Sequence, residues 1–118
     1  MTVDVYDLYH RAQEKLADRE GAAAIPLLEL AAQKLPGDRA VLRLLALVYF
    51  DTSAFAAAEL MLRDLVDQDP LDADALHMLG QVLERSGRDL EAGRYLSLAA
   101  GLDPAYSASC ATWGGQPT

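Results

Sequence analysis

The stretch Leu76–Pro104, LHMLGQVLERSGRDLEAGRYLSLAAGLDP, decides how the rest of the chain is read. Leu76, Leu79 and Leu83 recur at steps of three and four, the spacing of one helix face. Gly87 interrupts this run, and a second apolar run through Ala92, Leu96 and Ala99 stops at Asp103-Pro104. Proline just past a helix is a stop signal, since it has no N–H to donate and its ring clashes with the preceding turn. The stretch therefore reads as two helices joined by a tight turn. The same pattern stands earlier in the chain, because Pro36, Pro70 and Pro104 lie 34 residues apart. The interior keeps that step in the columns Leu8, Leu42, Leu76; Ala12, Ala46, Gly80; Ala24, Ala58, Ala92; Leu28, Leu62, Leu96; and Ala31, Leu65, Ala99. Ala or Gly belongs where paired helices approach most closely, and the leucines fill the layer between them.

Six helices follow, at about 4–18, 21–34, 38–51, 54–67, 72–86 and 89–101. Asp38, Asp72 and Asp89 stand where N-caps would bond the free N–H groups of a first turn. Gly37 and Gly87 suit the tight turns. Pro26 is expected near the first turn of the second helix, where proline is tolerated, or else to shift the start of that helix.

The units resemble a known repeat. Leu76-x-x-Leu79-Gly80-x-x-Leu83 with Gly87, Ala92, Leu96, Ala99 and Pro104 looks like a complete tetratricopeptide repeat. The middle unit is similar in Leu42, Leu45-Ala46, Tyr49, Ala58, Leu62 and Pro70. The first departs: Arg11 and Lys15 replace apolar residues, and Tyr9 and Leu16 lie one residue out of step, as in a rotated or frayed helix. The resemblance covers about residues 5–104. It implies an all-α fold, a right-handed α-solenoid of three helix-turn-helix pairs at about 5–36, 39–70 and 73–104. Residues 105–118 are expected to be a tail, flexible or packed on the last helix.

Composition narrows the functions. A formal charge of −8 over 118 residues, with no Lys or Arg cluster, disfavours nucleic acid and anionic membranes as partners. The lone cysteine, Cys110, and a start with neither a basic nor an apolar run point to a cytoplasmic protein without an internal disulfide or signal peptide. No convergent reactive set suggests an enzyme. His10 and His77 are 67 residues apart, and as a shared metal site they are outweighed by a role as polar groove residues. Asp67, Asp69, Asp72 and Asp74 lack the ligand spacing of a calcium loop and read as capping plus a solvated turn. No phosphate loop occurs, and Cys110 has no nearby base to activate it. Neither cofactor nor metal is expected.

The resemblance also implies a binding surface. The first helix of each repeat lines a concave groove, and the groove positions map onto Tyr6, Tyr9, Gln13 and Leu16, then Arg43, Leu47, Phe50 and Asp51, then Asp74, His77, Gln81 and Glu84. The first two sets are apolar and aromatic, and the third is polar and acidic. Phe50 is either an anchor for a partner or a residue packed on a neighbouring helix. The columns that hold a terminal carboxylate in co-chaperones of this family carry His10, Leu44, Asp74 and Met78, which do not suit that ligand. The expected function is a protein–protein interaction module binding a peptide or helical segment of a partner. The alternative is a small dedicated chaperone resembling the class II and needle-subunit chaperones of bacterial type III secretion. Tyr95, Leu98 and Leu102 on the last helix would be covered by a folded-back tail with Trp113 as plug, by a second copy, or by a partner.

Overall fold

A computed structural model describes residues 4–106. Regular structure within them is helical: α1 Val5–Ala17, α2 Gly21–Lys34, α3 Arg39–Asp51, α4 Phe55–Gln68, α5 Ala73–Arg85 and α6 Asp89–Leu102. None of these is long and apolar enough to cross a membrane. Trp113, Cys110 and the rest of the tail beyond Tyr106 lie outside the described residues.

The odd-numbered helices start alike. Asp4, Asp38 and Asp72 accept from the N–H of Tyr6 (3.1 Å), Val41 (3.1 Å) and Ala75 (3.2 Å), satisfying donors that a first turn leaves unpaired. Asp89 is not a cap. The cap of α6 is Arg88, and Asp89 is its first helical residue. There its carboxylate sits beside the partial positive charge of the helix start without closing an N–H. α2 likewise starts at Glu20 without a side-chain cap.

The reason lies in the turn before each even-numbered helix. Arg19, Ser53 and Gly87 have φ of 62°, 64° and 81°, the left-handed region, and they stand one repeat apart. The N–H after each one reaches back five residues: Glu20 to Lys15 O (2.7 Å), Ala54 to Tyr49 O (2.7 Å), Arg88 to Leu83 O (2.9 Å). The left-handed residues bond the carbonyls of Leu16, Phe50 and Glu84, each at 3.0 Å. This paired closure is a Schellman motif, repeated three times, with glycine in only the third.

The turns between repeats use two solutions. Leu35-Pro36-Gly37-Asp38 places Gly37 at φ 79°, which proline followed by glycine favours. Asp69-Pro70-Leu71-Asp72 has no glycine. Instead Asp69 Oδ1 accepts from the N–H of Leu71 (3.1 Å) and the Asp72 N–H bonds Asp69 O (3.1 Å). Asp103-Pro104-Ala105-Tyr106 repeats that pattern, with Ala105 N–H to Asp103 Oδ1 at 3.0 Å and Tyr106 N–H to Asp103 O at 3.0 Å.

Two readings of the first repeat need correction. α1 is continuous and buries Leu8 and Ala12, the members of the shared columns, so it is neither frayed nor rotated. Arg11 stays exposed beside Asp7 (3.4 Å) and Lys15 reaches Glu20 (3.8 Å), so neither charge enters the core. Pro26 lies inside α2, in its second turn, and does not shift its start at Gly21. The bond it cannot donate belongs to Ala22, which is exposed and open to water.

The chain divides into two compact units, Met1–Met61 and Leu62–Thr118, with the division inside α4. In the first unit Leu8, Ala12, Ala24, Leu28, Ala31, Val41, Leu44, Leu45 and Val48 form the core, with Tyr9, Leu16 and Tyr49 packed against it. The Tyr49 hydroxyl donates to Glu29 Oε2 (2.6 Å), tying α3 to α2. Burial, and then the adjoining carboxylate, push that phenol up to about 12. In the second unit Leu62, Leu65, Leu76, Leu79, Val82, Leu83, Ala92, Leu96 and Ala99 are buried. Gly80 is the close approach: a Cβ there would lie 2.7 Å from Leu96 Cγ and Cδ2. At its surface Glu91 accepts from Arg63 and Arg88, each at 2.8 Å, and these bonds hold its carboxyl below the usual range. Arg63 also lies over the Tyr95 ring, 5.8 Å from its centroid.

Candidate functional site

The groove positions are carried by α1 and α3 in the first unit and by α5 in the second. Tyr6 is 69 % exposed and Tyr9 half-buried. His10 lies against both, with centroids 4.5 Å from Tyr6 and 6.4 Å from Tyr9. Tyr6 and Tyr9 share a recess of about 420 Å³ with Val5, Leu35 and Val41, and the caps Asp4 and Asp38 stand at its edge. Four apolar side chains, Ala40 being the fourth, with two phenols and two carboxylates suit an apolar or aromatic side chain carried by a neutral or cationic segment.

Leu16, Leu47 and Asp51 line a second recess of about 500 Å³ together with Ala17 and Arg19. Leu47 is exposed on a helix otherwise buried at Val41, Leu42, Leu44, Leu45, Ala46 and Val48. Gln13 is exposed and Arg43 half-buried, and neither lines these two recesses. Phe50 packs edge-on against Phe55 at the start of α4, with centroids 5.8 Å apart at 81°. It thus packs on the second helix of its own pair.

On α5, His77, Gln81 and Glu84 are half-buried and Asp74 is exposed. Tyr106 lies over Asp74 and His77 at the start of this row. Its ring stacks on His77 at 4.3 Å and 23°, and its hydroxyl donates to Asp74 Oδ1. His77 Nδ1 is buried without a hydrogen-bond partner among the described residues. Burial lowers the His77 pKa, against the opposing pull of Asp74 and Glu84.

Several of these residues escape a reading of first helices alone. Leu35 and Asp38, outside any first helix, join Val41 of α3 in the α1 recess, and Tyr106 follows the last repeat. Repeat phase is the signal that finds Tyr106, for it falls 34 residues after Asp72 and 68 after Asp38.

A tetratricopeptide repeat model matches residues 15–82, more than half of the chain. The chain belongs to the tetratricopeptide repeat family. Solved structures agree on the fold. YrrB, described as a tetratricopeptide protein with an unusual peptide-binding site, superposes with a TM-score of 0.85 at 16 % identity, over 92 % of this chain and 57 % of its own. MamA MSR-1 superposes with a TM-score of 0.80 at 24 % identity, over 86 % and 59 %. An O-GlcNAc transferase mutant from Thermobaculum terrenum reaches 0.78 at 27 % identity, over 90 % of this chain but 21 % of that enzyme. The chain thus spans less than two thirds of each. No curated protein matches it significantly in sequence. The fold is the tetratricopeptide α-solenoid of tandem helix pairs.

Proposed function

We propose that the protein is a non-enzymatic interaction module that binds a peptide or helical segment of a partner protein, with the tyrosine recess on α1 as anchor site. The observation that carries this reading is an apolar, phenol-lined recess on groove positions of a tetratricopeptide repeat, bordered by two carboxylates. Leu47 with Leu16, and Gln13, Arg43, Phe50 and Asp51, extend the surface along the first unit, and His77, Gln81 and Glu84 supply it on the second. The peptide-binding site described for YrrB supports the class of function. A cytoplasmic setting, absence of nucleic acid as partner and pairing of copies through α6 belong to the same reading.

Tyr6→Glu is the decisive substitution, since Tyr6 is exposed and its replacement leaves the core intact. A partner retained by the wild type and lost by this variant, then bound by the purified protein as a synthetic segment, supports the reading. Equal retention by both overturns it. A one-to-one complex with a single aggregation-prone client favours the chaperone alternative, and weak binding of several segments favours the adaptor.

A further inference from the structure

The polar row of α5 already carries an aromatic ligand, supplied by the chain itself. Tyr106 is the last described residue of a helical turn at 104–106, which is fixed at its start by the Asp103 carboxylate and carbonyl. That turn delivers the phenol onto Asp74 and His77: the ring lies parallel to the imidazole and the hydroxyl reaches the carboxylate. The corresponding place on α1, two repeats earlier at Tyr6 and Tyr9 beside Asp38, is an open recess. Asp38 is too short to do there what Tyr106 does on α5.

We propose that Asp74 and His77 form a tyrosine-accepting subsite, filled in cis by Tyr106, which withholds this part of α5 until a partner's tyrosine displaces it. Two features define the ligand. The flat, half-buried imidazole selects an aromatic ring, and Asp74 selects a ring bearing a hydroxyl donor. The stacked ring and the exposed hydrogen bond are both contacts that a tyrosine from a partner can reproduce, so the two rings compete for one place. The part played by a partner rests on the interaction-module reading; the occupation in cis does not.

The test is NMR on the full chain, following the ring protons of His77 with those of His10 as internal control. In the wild type, His77 shows a nuclear Overhauser contact to the Tyr106 ring and upfield ring-current shifts. Tyr106→Ala abolishes both and leaves His10 unmoved. N-acetyl-tyrosinamide added to Tyr106→Ala returns the His77 signals toward their wild-type positions, with a dissociation constant in the roughly millimolar range expected of so small a ligand. It binds the wild type at least about fivefold more weakly, because there the subsite is taken. N-acetyl-phenylalaninamide, lacking the hydroxyl, binds Tyr106→Ala more weakly than the tyrosine probe. No inter-ring contact in the wild type, which needs no variant to measure, overturns the proposal. Equal response of wild type and Tyr106→Ala to the probe also overturns it. Neither result bears on whether Tyr6→Glu loses a partner, so the two readings fail separately.

Discussion

The first and third helix pairs share one 34-residue frame but complete it differently. In α1–α2 the close-approach column carries Ala12, the left-handed turn residue is Arg19, and the groove row of tyrosines is open. In α5–α6 those places hold Gly80, Gly87 and a row whose start lies under Tyr106. The turn that closes each pair has the same hydrogen bonds in both, down to the five-residue reach of the Schellman closure. The frame therefore fixes the path of the chain, while single side chains set how tightly a pair packs and whether its groove face is free. Small residues in the third pair bring the helices closer and relieve the turn; the first pair spends that latitude on an exposed aromatic surface.

The largest test of the contrast is Leu96→Ala, expected to cost about 3 kcal/mol by denaturant unfolding, as for a buried leucine. In the wild type Gly80→Ala is destabilising, since overpacking against Leu96 of about 1–3 kcal/mol outweighs the helix-propensity gain of about 1 kcal/mol. In the Leu96→Ala background only the tight approach to Ala92 O (3.3 Å) remains, and Gly80→Ala loses most of its cost. A double-mutant cycle with no coupling between the two sites would remove the close approach as the distinction between the pairs.

The left-handed turns come next. Arg19→Gly and Ser53→Gly are each expected to stabilise by about 1 kcal/mol, and Gly87→Ala to destabilise by a similar amount, because an L side chain is strained at that φ. Midpoints that shift in the same direction for Arg19→Gly and Gly87→Ala would contradict the shared motif.

The smallest effect is a pH dependence confined to the third pair. Burial lowers the His77 pKa from its ordinary 6.5, so the unfolded chain takes the proton first as pH falls. Stability drops through the range just below about 6.5 and levels off under the folded pKa. Tyr106→Ala uncovers the ring and flattens that slope, which unfolding midpoints at a series of pH values would register. A slope unchanged by the substitution would place the burial of His77 elsewhere than under Tyr106.

Much of this was legible in the sequence, for reasons that particular residues make plain. The proline spacing and the Ala12, Ala46, Gly80 column give the helices and their close contacts, because sterics leave those places few options. Asp38 and Asp72 read correctly as caps, being followed directly by a helix. Asp89 does not, because the left-handed residue two places before it shifts the cap to Arg88. Arg19 and Ser53 gave no sign of their φ, since tertiary packing imposes it against their preference. On α1 the out-of-step Tyr9 and Leu16 suggest a rotated or frayed helix where the helix merely keeps its charges at the surface. The candidate site was legible as a set of positions but not as open or occupied, because Tyr106 contacts α5 across 29 and 32 residues of chain.

The thrice-repeated turn also bears on how the chain reaches its fold. Each helix pair is closed by bonds between residues three and five apart, and the side chains that meet across it come from within a single repeat. Joining such near neighbours costs little chain entropy, so a pair can form before anything distant is in place. The three pairs are then separate starting points for folding, with unequal speed: the one whose turn is already glycine, at Gly87, has the least to overcome.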